Sequence, residues 1–153
     1  MTKFAVLSAA LFAAALPAAA SAQANETVFR CTLTNGKTVS VTARGDQLSY
    51  RYGTPRRAEL SLSGTPRSGN VHFMQQRYAS IQSQMRFSNG DYHYIVHSMG
   101  ASQVAQSNAI SGLVVRRGNR RLADHSCRRY SEFEGGFDVR QQLPEDSENW
   151  SVM

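Results

Sequence analysis

The stretch from Ile81 to His97 reads IQSQMRFSNGDYHYIVH, and it decides the fold. Its first half sets Ile81, Met85 and Phe87 on every second position or multiples of it, with Gln, Ser and Arg between them. Asn89-Gly90 follows, a pair that reaches positive φ at little steric cost and so closes two-residue hairpins. The second half resumes the alternation with Tyr92, Tyr94 and Val96. Because successive side chains of a strand point to opposite faces, this is a β-hairpin with one apolar and one polar face.

The same grammar recurs on both sides. Asn35-Gly36 divides residues 28–33 from 37–43, and Gly118-Asn119 divides 110–117 from 120–127. Between them lie 47–52, 58–62 and 71–75, bounded by Gly53-Thr54-Pro55 and by the polar run 63–70. Period-2 parity gathers Phe29, Cys31, Leu33, Val39, Val41, Leu48, Tyr50, Tyr52, Leu60, Leu62, Val71 and Phe73 on the apolar side. The expected fold is therefore all-β, a small antiparallel β-barrel or sandwich of about eight strands. Strands with one polar face argue against an outer-membrane barrel, whose outward band must be apolar. In the last strand an inward Cys127 would carry His125 and Ala123 inward too and leave Leu122 outside, unless a bulge intervenes there.

The N-terminus carries Lys3, an apolar run from Phe4 to Leu16 and the small-residue run Ala18-Ala19-Ala20-Ser21-Ala22. A charged start, a short apolar core and an A-x-A site make a cleavable export signal over residues 1–22, ending near Ala22. Thirteen residues from Phe4 to Leu16 fall short of the roughly 20 that a spanning helix needs, so no membrane span is expected. The alanine-rich leader and the preference for Arg over Lys suggest the periplasm. The chain has two cysteines, and in an oxidising compartment Cys31 and Cys127 are expected to pair.

Charge divides the mature chain. Residues 23–130, read as the β domain, hold fifteen bases and five acids, a net of +10. Residues 131–153 hold six acids against Arg140, a net of −5, and read as an acidic, flexible tail. Such a tail could also lie on the basic face, pinned by Phe133, Phe137 or Trp150, as an internal competitor for an anionic ligand.

The arginines concentrate in the run Arg116-Arg117-Gly118-Asn119-Arg120-Arg121 at a hairpin tip, with further pairs at Arg56-Arg57 and Arg128-Arg129. Planar guanidinium forks suit carboxylate and phosphate, so Arg116, Arg117, Arg120 and Arg121 are the candidate binding residues. No helix-turn-helix, zinc-finger or RNP pattern accompanies them, and no nucleic acid is expected. Asp124-His125-Ser126 has triad letters, but neighbouring strand residues face opposite ways and these three cannot form a relay. His93 and His97 share a face about 13 Å apart, too far for one metal ion. No paired carboxylates, phosphate-cradling Gly loop, H-E-x-x-H or nucleophile elbow is present. The chain is thus expected to be no enzyme and to need no metal or cofactor.

The F-x-C strand (Phe29, Cys31), the L-S-Y-R-Y-G stretch (Leu48 to Gly53), the E-L-x-L strand (Glu59 to Leu62), the F-x-N-G-x-Y-x-Y-x-V hairpin (Phe87 to Val96) and the terminal cysteine strand resemble a group of small exported bacterial single-disulfide β proteins of unassigned function. More distantly, size and architecture look like periplasmic lysozyme inhibitors, in which a Ser-Gly loop enters the lysozyme cleft; Ser111 and Gly112 are the nearest match. Taken together, the expected function is a periplasmic, non-enzymatic binding or envelope-associated protein that meets an anionic envelope polymer or a periplasmic protein partner. Lysozyme inhibition is the alternative that the resemblance implies.

Overall fold

Alternation and turn chemistry produce nine strands among residues 23–151, the residues described by the structure, a computed structural model. The expected leader, 1–22, lies outside them. β1 (Glu26–Thr32), β2 (Thr38–Arg44), β3 (Gln47–Gly53) and β4 (Ala58–Gly64) form one antiparallel sheet in chain order. β5 (Val71–Arg77), β6 (Ile81–Asn89), β7 (Tyr92–Met99), β8 (Ile110–Arg117) and β9 (Arg120–Ser126) form the second in the same way. All three hairpins read from the sequence are present, and Gly90 and Gly118 take φ values of 57° and 51° in their turns. Among the described residues a single helix, α1 (Phe137–Gln142), follows.

The two sheets stack as a sandwich rather than closing as a barrel. Val39, Val41, Leu48 and Tyr50 of one sheet meet Val71, Met85, Phe87, Val96 and Leu113 of the other, all buried. The Tyr50 ring lies 5.5 Å from that of Phe87 and 5.8 Å from that of Tyr94. Each such side chain contributes about 1.5–3 kcal/mol when removed from water. Ile81 and Tyr92, which parity puts on the apolar side, sit at strand ends and stay 42% and 39% exposed.

Cys31 and Cys127 are bonded and clamp the first strand of one sheet to the end of the other. Beside them Thr34 N donates to Ser126 O and Arg128 N to Thr32 O, so the chain leaving β9 covers the free edge of β1. Plain parity holds in the last strand: His125 and Ala123 pair with the inward Leu113 and Val115, and Leu122 stays exposed at a bulge where pairing passes from Val115↔Ala123 to Arg116↔Arg121. A second bulge in β1, between Thr27 and Phe29, buries the adjacent Val28 and Phe29 together.

The acidic segment after Cys127, which composition reads as flexible, is packed against the sandwich. It carries its own apolar anchors between the acids. Phe133 lies 5.1 Å from Phe29 and 5.6 Å from Phe73, ring centre to ring centre, and Val139 and Leu143 join the core. Beyond α1 the chain meets the edge of β5: Phe73 N donates to Pro144 O and Asp146 N to Phe73 O. Of the three aromatic pins considered, Phe133 and Trp150 make contacts, while Phe137 stays 63% exposed. Among the described residues, no helix is long and apolar enough to cross a membrane.

Candidate functional site

Strand parity separates the four arginines at the tip of the β8–β9 hairpin. Arg116 and Arg121 pair across the strands on the outer face of the five-stranded sheet, and Arg117 and Arg120 pair on the other side. Arg116 is buried, with its guanidinium 5.8 Å from the Trp150 ring and donating to Asn119 O at 2.6 Å. Arg121 is bound to Asp124 at 2.9 Å, and Arg117 lies over Tyr92 at 5.4 Å. The run is contiguous in sequence but does not form one cationic surface. Ser111 and Gly112 lie inside β8, buried, and not in a loop. Ser111 Oγ accepts from Ser131 N, and a Cβ at Gly112 would come within 2.4 Å of His125 O.

A denser cationic site forms where the fold joins distant segments. Arg30 stands on the outer face of β1, and the pairing of Arg128 with Thr32 brings Arg128 and Arg129 alongside. With Cys31, Thr32 and Ser131 these three arginines line an open cavity of about 480 Å³. None of the three forms an ion pair among the described residues. Arginines that line one cavity set like charges near one another, and an anion held there would gain charge-assisted hydrogen bonds. The sequence flagged Arg128-Arg129 as a pair but had no means of placing Arg30 beside it, since 98 residues separate Arg30 from Arg128.

The second concentration of polar groups is the outer face of the five-stranded sheet. Cross-strand register sets His72, Arg86, Ile95, Val114 and Asp124 in one row. Met74, Gln84, His97, Gly112 and Ser126 form the next, and Ser88, His93, Arg116 and Arg121 a third. Residues 144–151 run across this face. The Asp146 carboxylate receives Arg86 Nη2 at 2.5 Å, Arg86 Nε at 2.8 Å and Gln84 Nε2 at 3.0 Å. Trp150 packs against His93, 4.9 Å between ring centres, and under the Arg86 guanidinium at 4.8 Å. Beneath lie Met74, Ile95 and Val114, all buried yet outside the core between the sheets.

Burial holds the imidazoles of His72 and His93 below their ordinary 6.5, with Arg86 lowering them further and Asp146 opposing. His97 is also lowered by burial, drawn back by Asp124 and lowered again by Arg121. His97, Asp124 and Ser126 line a cavity of about 220 Å³ with Gln82, Asn149 and Ser151. Asp124 and Ser126 do turn away from His125, as alternation requires, and face His97 two strands off. Among the described residues, His97 makes no hydrogen bond to either, and Asp124 is engaged by Arg121. Burial disfavours the His97 imidazolium and Arg121 engages Asp124, so the three residues share a cavity with no hydrogen-bonded relay among them in this structure.

No protein-family model, curated protein or solved structure matches this chain.

Proposed function

We propose that the chain is an exported, non-enzymatic binding protein of the bacterial periplasm that holds an anionic envelope partner in the notch formed by Arg30, Arg128 and Arg129. One observation carries this reading: three arginines from two distant segments line one open cavity, and none of the three is ion-paired among the described residues. The Cys31–Cys127 bond and the backbone bond from Arg128 to Thr32 hold them in place before any ligand arrives. Preorganisation of that kind lowers the ordering cost of binding. A disulfide closing 96 residues supports an oxidising compartment. Arg117 and Arg120 at the hairpin tip add positive charge that steers an anionic partner toward the surface.

The test compares two triple variants on a polyphosphate-bearing resin. Arg30→Ser/Arg128→Ser/Arg129→Ser is expected to elute at clearly lower salt than Arg56→Ser/Arg57→Ser/Arg67→Ser, although both lose three charges. Equal elution of the two would show that only net charge matters and that the notch is no site. Since exposed charges are screened over about 10 Å at 0.1 M salt, retention of the unaltered protein must itself weaken as salt rises.

A further inference from the structure

The outer face of the five-stranded sheet is built to receive something, and the acidic segment shows what. Arg86 and Gln84 are buried on this face beside His93, above an apolar floor of Ile95 and Val114. Residues 144–151 satisfy that face in three distinct ways. Their backbone pairs with the edge of β5 at Phe73, the Asp146 carboxylate takes the Arg86 fork and Gln84, and the Trp150 ring fills the gap among His93, Arg86 and Arg116. These are the elements of peptide recognition by strand addition, in which main-chain bonds hold an extended segment and side-chain pockets select it.

We infer that this face is a recognition surface for an extended acidic peptide that presents a carboxylate and, four residues later, an aromatic ring, and that residues 144–151 are its resident occupant. The inference concerns other residues than the arginine notch and stands without it. Three features favour exchange over permanent closure. Backbone-to-backbone pairing is confined to a single residue of β5, with two bonds, and the segment's other main-chain bonds to the sheet, at Glu148 O and Ser151 N, go to the one side chain of Gln84. Around Trp150 the contacts are rings and guanidinium planes, which tolerate re-entry of a similar group. On the receiving face, His72 Nδ1 is buried with no hydrogen-bond partner among the described residues, so the resident segment leaves one polar group that another occupant could satisfy.

A tethered occupant competes at an effective concentration that reaches the millimolar range for short linkers, so an outside peptide binds well only when the resident is weakened. The probe is the nonapeptide LPEDSENWS, residues 143–151 of this chain, carrying a fluorophore. The full chain with Asp146→Asn/Trp150→Ala is expected to bind it at least tenfold more tightly than the unaltered chain. Adding Arg86→Gln to that double variant is expected to remove the gain. A second measurement needs no substitution in the protein. Trp150 is the only tryptophan, so its emission reports on whether the segment is seated. An excess of LPEDSENFS, with Phe in place of Trp, should displace it and move the emission to longer wavelength, and a scrambled peptide of the same composition should not. The inference is overturned if the emission stays fixed at millimolar LPEDSENFS, if the scrambled peptide acts equally, or if a folded double variant fails to bind the probe.

Discussion

The four-stranded sheet leaves its outer face wet and the five-stranded sheet covers the middle strands of its own, although both arise from the same alternation. On the first, the row Arg30, Ser40, Arg51 and Ser61 and the neighbouring Thr42, Ser49 and Ser63 stand in solvent or at its edge. On the second, the corresponding positions hold Gln84, Arg86, Ile95, Val114 and Arg116, and all are buried. An arginine on the first face keeps its hydration. Arg86 on the second has lost most of it and depends on Asp146, whose side chain is wholly buried. The same residue type at an equivalent strand position is therefore optional in one sheet and structural in the other.

The sharpest way to break the contrast is to delete one arginine from each face. Removing one partner of a buried ion pair costs about 3–5 kcal/mol, because a charge is left stranded, whereas exposed surface changes fall within about 0.5 kcal/mol. Arg86→Ala should thus lower the urea midpoint strongly while Arg51→Ala leaves it almost unmoved; comparable shifts would mean that the covered face contributes nothing special. Next in size is the clamp between the sheets. Converting Cys31 and Cys127 to Ser should cost about 2–4 kcal/mol by freeing a long loop in the unfolded chain. Measured with the same denaturant, it should lower the stability of both sheets together, since the bond joins them.

The smallest effect is a pH dependence that belongs to the five-stranded sheet alone. His72, His93 and His97 all titrate below 6.5 in the folded chain, so the unfolded chain binds their protons first. Stability must then fall as pH drops through 6.5 toward the lowered values and level off beneath them. Thermal melts at pH 7.5 and 5.5 check the sign. With His72, His93 and His97 all replaced by Gln, that part of the slope should vanish, and a slope that survives would assign it to other groups.

Strand positions, hairpin turns, the disulfide and the inner core were legible because each is written in local periodicity or in the cysteine count. Tyr50, Phe87 and Val96 needed only parity to be placed. The covered outer face was less legible, since His72, Gln84, Arg86 and His93 are the residues expected on a wet face. One signal did point to it: Phe73-Met74, Tyr94-Ile95-Val96 and Leu113-Val114-Val115 interrupt the alternation with consecutive apolar residues. Such runs mark strands buried on both sides. The arginine notch had no local signal, because long-range pairing across the disulfide creates it. At the hairpin tip the sequence grouped four arginines that the pleat then divided between two faces.

Asp146 enters the growing polypeptide 60 residues after Arg86. At about 5–20 residues per second, the guanidinium waits about 3 to 12 seconds for its counter-charge. Until residues 144–151 dock, the second sheet can pair its strands but cannot dehydrate its outer side around Arg86, so the cover depends on the last segment of the chain. A chaperone or protease that meets the chain before residues 144–151 dock finds Met74, Ile95 and Val114 in the open, so docking of the last segment sets how long that apolar row is exposed.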